Sequence, residues 1–488
     1  MKPPIPSRYY AFAILIVWGA AILFFGLLRF NTIGIEEGAA KDLLMLWSIV
    51  DKIASPVGTF GTPDLRALLL LPVSLYWSGS IVAAKVFTII TMFGAIYLLY
   101  KWRTEDNDEN QEAALIASAL LMVLPLTITQ IDAISTAPYL LFLFAFGHWL
   151  HGTYTTKGKH LGGWYFIQLL AVMVTVSLHP AGVAYPLALI WHWHRNNDQD
   201  KLGNRKSIFI GTLIASTLII AFRMGWQDGL AWLSNPIQTL SDTFATGLTG
   251  IGDPTSIIIG LVAFTLLISI LYRDRQLIAT DFLTTTLTLG LIIGLVVADG
   301  TWALLACTLL LYKGIPILIE FNQKIKSESL VGQRGLVIVT TLVLATMFML
   351  TNKGNAHNHV MELYSARDTL IDTLCRDHAP DPDKPSTIAS QWPAQTMLAC
   401  RGVVFPLPKA AADGPTLAKN ISGVTHLIFD HNDERNSGLA RNIADLGGTA
   451  QTTILQKGGV VVTMRDLNEV TGAPEKHTKK PEVTMDTE

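Results

Sequence analysis

The sequence predicts a polytopic α-helical membrane protein of about 11 transmembrane helices, followed by a small C-terminal α/β domain. Three observations predict it. Half of the 488 residues are hydrophobic and only 15% are charged, where a soluble domain carries about 25%. Apolar runs long enough to cross hydrocarbon recur from residue 9 to residue 351. Lysine and arginine gather in alternate loops between those runs.

The runs lie at 9–29, 81–100, 112–127, 133–150, 163–178, 181–194, 207–223, 255–272, 280–298, 302–320 and 336–351. The first follows Lys2 and Arg8 and ends without a small-residue cleavage site, so it reads as a retained helix. With a cytoplasmic N-terminus the inside loops hold Lys101 and Arg103; Lys157 and Lys159; Arg195, Lys201, Arg205 and Lys206; Arg273 and Arg275; and Lys324, Lys326 and Arg334. The short outside connections near 128–132, 179–180 and 299–300 hold none. An odd number of spans then puts the C-terminal region outside. A bacterial inner membrane with a periplasmic C-terminal domain fits this arrangement. A net charge of −2 gives no basic footprint, so no nucleic-acid partner is expected.

The transmembrane domain is expected over 1–352, with two long outside segments, 30–80 and 224–254. Function is sought there, because the other connections are short. Residues 353–467 read as the α/β domain. The stretches STIAS, GVVFP, VTHLIFD and TTILQKGGVVVTM have strand character, with helical patterns between them. Gly458 and Gly459 mark a hairpin turn between the last two strands. The polar residues 468–488 read as a disordered tail. Cys375 and Cys400 both fall in the exported domain, where either a disulfide or two buried thiols is open.

Glu36 and Glu37 follow the first span directly. After them Leu43, Leu46, Trp47, Val50, Ile53 and Ala54 keep helical spacing, with Lys41, Asp42, Ser48, Asp51 and Lys52 on the other face. That pattern predicts an amphipathic helix lying at the membrane surface. A carboxylate pair there suits deprotonation of an acceptor, or the holding of a divalent cation against a phosphate leaving group. The plainer reading is a solvated loop with acids at a helix start. Arg66 and Lys85 are candidates to offset phosphate charge. Lys85 lies a turn inside the second span, where a charge is expensive; its alternative is to snorkel to the headgroups. Asp64 and Arg66 also read as a surface pair. Arg223 ends a span on the outside, as a donor contact or an interfacial anchor. His179 lies at an outer turn, within reach of the same cavity. His148, His151, His192 and His194 sit at inner helix ends beside tryptophans and read as an interfacial belt rather than a metal site.

The order of these parts is a cytoplasmic N-terminus, a span, the acidic pair, an amphipathic helix, the RALLLLP segment and a span ending in YLLYKW. This resembles the GT-C superfamily of membrane glycosyltransferases, in the group of protein O-mannosyltransferases and lipid A aminoarabinose transferases. The likeness covers the layout of roughly the first 350 residues, and SLHPAG resembles the family's Pro/Gly turn. It implies a polyprenyl-phosphate-linked sugar donor taken from the membrane lipids, an envelope acceptor, and catalytic carboxylates at Glu36 and Glu37. The family's Asp-Glu pair is Glu-Glu here, and its His-Pro-Pro-type segment is Thr62-Pro63-Asp64. The rival readings are a transporter, a non-catalytic scaffold presenting the outer domain, and a polysaccharide polymerase or ligase.

Overall fold

The computed structural model describes residues 35–51, 67–77, 79–105, 111–157, 161–195, 254–297, 301–324 and 343–351, with a few positions near 211 and at 341. In the C-terminal region it describes 387–400, 403–421, 424–446, 450–454 and 459–464, with Leu370, Ile371 and Leu374. The chain divides into two compact units, Met1–Met361 and Glu362–Glu488.

The first unit is helical. Its elements are α1 (Glu37–Asp51), α2 (Ala67–Tyr76), α3 (Ile81–Glu105), α4 (Gln111–Val123), α5 (Pro125–Asp132), α6 (Thr136–Lys157), α7 (Leu161–Leu178), a 3-10 turn (Pro180–Val183), α8 (Ala184–Arg195), α9 (Pro254–Arg273), α10 (Arg275–Thr280), α11 (Phe282–Val297) and α12 (Thr301–Lys324). Where residues are described, the apolar runs are helices. Among the described residues, Ile81–Thr104 and Thr301–Glu320 are long and apolar enough to span by themselves, and the bent pair α4–α5 makes a third. The count of eleven therefore rests on the sequence. The runs at 9–29 and 207–223 lie outside the described residues or nearly so.

Two expectations change. Residues 128–132, read as a connection, are helical. They belong to α5, which meets α4 at a bend of 52°. The cause is Pro125, which pushes Leu124 out of the helical region (φ −58°, ψ 129°) and starts a new helix at its first position. The predicted surface helix α1 is instead a packed one. Leu43, Leu44, Met45, Leu46 and Trp47 are all buried, and so is Asp42 on the supposed polar face, at 2% exposure. The reason is α2, ALLLLPVSLY, which is apolar almost all round and packs along α1.

The turn that joins α7 to α8 is set by His179, whose ring Nδ1 accepts the Ala181 N–H at 3.1 Å. Gly182 lies against α7 so closely that a Cβ there would sit 1.9 Å from the Thr175 carbonyl oxygen.

The second unit is a sheet between helices. Its elements are β1 (Thr387–Ser390), α13 (Pro393–Cys400), β2 (Val403–Pro406), α14 (Gly414–Asn420), β3 (His426–Asp430), α15 (Ser437–Ala444), β4 (Ala450–Ile454) and β5 (Gly459–Met464). The strand order is β2-β1-β3-β5-β4. The first three strands are parallel and the last two join antiparallel. Period-2 alternation divides the core. Ala389, Leu427 and Phe429 face α14 and α15 with Leu417, Leu439 and Ile443. Ile388, Val404 and Ile428 face Cys400 and the helical Leu370, Ile371 and Leu374. Gln391 ties the carboxyl ends of β1 and β3 together. Its Nε2 donates to Asp433 at 2.8 Å, and its Oε1 accepts from Asp430 N and Asn436 Nδ2, each at 2.9 Å. The Arg435 guanidinium holds the Asp433 carboxyl down at about 2.

Cys307 is a free, buried thiol, as expected of a residue inside a span. Cys400 is disulfide-bonded. Cys375 lies outside the described residues, but the chain holds only three cysteines, and arithmetic leaves it as the partner.

Two outcomes follow for stability. Gly182→Ala forces the α7–α8 turn apart and should destabilise the protein by about 1–3 kcal/mol, read as a lower thermal midpoint in detergent. Cys400→Ser, or reduction of the native protein, should cost about 2–5 kcal/mol in the second unit, read by protease resistance of that unit with and without reductant.

Candidate functional site

The site begins with a buried charge. Lys85 sits one turn into α3 at 0% exposure, so it does not snorkel. Its Nζ donates to Asp132 Oδ1 at 2.6 Å, and Asp132 is itself 2% exposed. Asp132 is the last residue of α5, whose carbonyl ends carry partial negative charge toward a nearby cation. Thr88, three residues on and on the same face of α3, bonds the Tyr139 hydroxyl of α6 at 2.7 Å. These side chains fasten α3 to the α5–α6 turn at one end of the bundle.

That turn closes as a Schellman motif. Ser135 N donates to Gln130 O at 3.0 Å and Ile134 N to Ile131 O at 3.1 Å. The position between them needs a left-handed backbone and usually holds glycine. Here it is Ile134, at φ 52°. A β-branched residue there is strained by about 1–3 kcal/mol. The Ile134 side chain is nearly fully buried and lines a small pocket with Asp42, Leu70, Ser135, Thr136 and Tyr139. Packing in that pocket offsets the strain. Ser135 Oγ also bonds Gln130 Oε1.

The turn holds the acidic pair. Ala133 O accepts the Glu36 N–H at 3.0 Å, and Glu36 O accepts Ala40 N at 2.9 Å, so Glu36 is the N-cap of α1. Glu37 lies in its first turn, where a carboxylate suits the helix dipole. Glu36 is exposed and Glu37 partly so. The arrangement thus meets both sequence readings: the acids start a helix, and they stand open at the end of the bundle where Lys85 and Asp132 pair.

Asp64, Arg66 and Arg223 lie outside the described residues. His179 is buried at 7% exposure and serves its own turn through Nδ1. Sequence reasoning missed Asp42 and Asp132. The signal for Asp132 was present: a lysine inside a span needs an acid at equal depth. No comparable signal marked Asp42, whose burial depends on α2.

The opposite end is closed by aromatic packing. Lys313 Nζ lies 5.1 Å over the Trp102 ring, and Trp102 Nε1 donates to Asp281 Oδ1 at 3.2 Å. His148, His151 and His192 stack around Phe282, with ring centroids 6.2, 4.8 and 5.9 Å away. Among the described residues, no three His, Cys, Asp or Glu side chains are placed to hold a metal ion.

No known sequence family and no curated protein matches the chain. Solved structures do match. The oligosaccharyltransferase AglB of the archaeon Archaeoglobus fulgidus, in complex with an inhibitory peptide and a dolichol-phosphate, aligns over 94% of this chain and 74% of its own, with a TM-score of 0.52 and 11% identity. The chain has the GT-C fold. The apo form of the Archaeoglobus fulgidus oligosaccharyltransferase aligns over 87% and 70%, at TM-score 0.52 and 9% identity. A form tethered by a disulfide to an acceptor peptide containing the NVT sequon aligns over 94% and 74%, at TM-score 0.53 and 10% identity. At such identity the likeness is one of fold. It agrees with the family resemblance drawn from the residues.

The ion pair is testable. Asp132→Asn leaves the Lys85 charge buried without its carboxylate and should cost about 3–5 kcal/mol. The double variant Lys85→Met/Asp132→Leu should recover most of that loss. Thermal midpoints of the three proteins in one detergent check both expectations.

Proposed function

We propose that the chain is a membrane glycosyltransferase that moves a sugar from a polyprenyl-phosphate-linked donor to an envelope acceptor on the periplasmic side of a bacterial inner membrane. The observation that carries this reading is the open Glu36–Glu37 pair, hung by a backbone hydrogen bond from the turn that Lys85 and Asp132 fix, in a chain with the GT-C fold. A solved neighbour that binds a dolichol-phosphate and a peptide supports a lipid-linked donor and a separate acceptor.

In this reading the donor's lipid lies among the helices and its phosphate comes to the end of the bundle where α1 starts. Glu36 or Glu37 takes the proton from the acceptor nucleophile as it attacks the sugar's anomeric carbon. The bond from that carbon to the phosphate oxygen breaks, and the polyprenyl phosphate leaves with the electron pair. Direct displacement inverts the anomeric centre. Arg66 and Arg223 contribute cationic contacts to the phosphate. Lys85 acts from behind, by cancelling the Asp132 charge. His179 shapes the neighbouring turn, and Asp64 lies in the same outside segment as the acidic pair. The second unit controls access of the acceptor.

Glu36→Gln and Glu37→Gln test the reading directly. At least one should fold with an unchanged thermal midpoint and lose about 10²-fold or more of transfer, seen as a missing glycan product and a raised pool of lipid-linked sugar in cells. Unchanged glycans with both variants folded would favour a scaffold that presents the second unit.

A further inference from the structure

We infer that the buried Lys85 ammonium does at this site what a bound divalent cation would do, so that the acidic end of the bundle takes up no metal ion and the transfer runs without one. The inference deepens the transferase reading and rests on it for the second half of that statement.

The argument starts from charge. Three carboxylates meet at the end of α1 and α5: Glu36, Glu37 and Asp132, linked by the Glu36 N–H to Ala133 O bond. An anionic lipid phosphate arriving there meets negative charge unless some cation offsets it. A divalent ion is one solution, and it needs several oxygen ligands converging on a point. This donor set does not provide them. Asp132 already accepts from Lys85 Nζ at 2.6 Å, and both groups are shut away from solvent. An ammonium at that distance repels a second cation from the same carboxylate. Glu36 and Glu37 are neighbours in sequence at a helix start, and successive side chains on a helix diverge rather than face one another. The remaining acid on α1, Asp42, points into the pocket beneath, beside Tyr139 and Ser135. The described residues accordingly hold no cluster of three ligands.

The lysine is also costly to keep. A fully buried ammonium inside a span is tolerated only with its carboxylate in place. A scaffold that merely needed packing would do as well with an apolar pair. What the pair achieves is a permanent neutral charge at the turn, which leaves Glu36 and Glu37 available as bases. Lys85 is on this view a positioning and charge-balancing residue, and it does not touch the reacting atoms.

The test uses full-length protein in nanodiscs of phosphatidylcholine, titrated with Mn2+ and followed by the loss of the free-ion electron paramagnetic resonance signal. Wild type is expected to bind no stoichiometric Mn2+. Lys85→Met, and Lys85→Gln as a second variant that keeps a hydrogen-bonding group, are expected to gain one Mn2+ per chain. Adding Asp132→Asn to either should abolish it. The same wild-type protein, treated with a chelator and given a polyprenyl-phosphate sugar, is expected to keep its transfer rate within about twofold, the scale of a change that leaves transition-state binding intact. A wild type that binds one Mn2+, lost in Asp132→Asn, overturns the inference, as does transfer abolished by the chelator and restored by Mn2+. If wild type transfers no sugar under any condition, the transferase reading fails, and the Mn2+ titration still decides whether Lys85 fills the place of a metal.

Discussion

The Lys85–Asp132 ion pair is the constraint on which the described part of the helical unit turns. A lysine at 0% exposure cannot be solvated, so its partner must be within reach and correctly oriented. Meeting that demand fixes the depth of α3 against the end of α5. It also fixes the place of the α5–α6 turn, and through the Ala133 carbonyl the start of α1. A side-chain pair in the bundle interior thus sets the position of two exposed glutamates without touching them. Buried ion pairs are weak evidence for stability, because desolvation offsets their attraction. Here the pair is better understood as specifying register between helices.

Local rules are broken around this turn, and the breaks are consistent with one another. A proline interrupts an apolar run long enough to span, and bends it by 52°. An isoleucine occupies a left-handed position that glycine would fill without strain. Each is unfavourable alone. Together they shorten the path of the chain so that α5 ends beside Lys85, and they turn an apolar side chain into the pocket between α1, α2 and α6. Departures from local preference that are held by the surrounding packing are where function is to be sought.

The bundle handles its second buried lysine differently. Lys313 is covered by the face of Trp102, which in turn bonds Asp281, and three histidines pack on Phe282 nearby. That end is sealed by rings, with the charge spread against π-faces. The Lys85 end is sealed by a direct carboxylate contact and opens onto acids. The asymmetry gives the two ends different chemistry, although the same residue type is buried at both.

Much of this protein was legible in its sequence. Composition and recurrent apolar runs gave helices where residues are described, because a spanning segment must be continuously apolar whatever its neighbours. The strands TIAS, VVFP, HLIFD, AQTTI and GVVVTM were readable from their β-branched and aromatic content and their turns. The acidic pair stood out because it followed a span directly. Other features depended on partners distant in the chain. Asp42 seemed to face solvent until α2, some 25 residues on, covered it. Lys85 read equally well as a snorkelling residue, since only the folded bundle brings Asp132, 47 residues away, to 2.6 Å. The left-handed Ile134 had no local signature, because sequence preference assigns that conformation to glycine. The sequence determined which segments are apolar enough to be helices and strands, since that depends on each segment's own side chains. Only the tertiary structure decided which charges are paired and which stand open, since that depends on the distance between residues the chain itself keeps far apart.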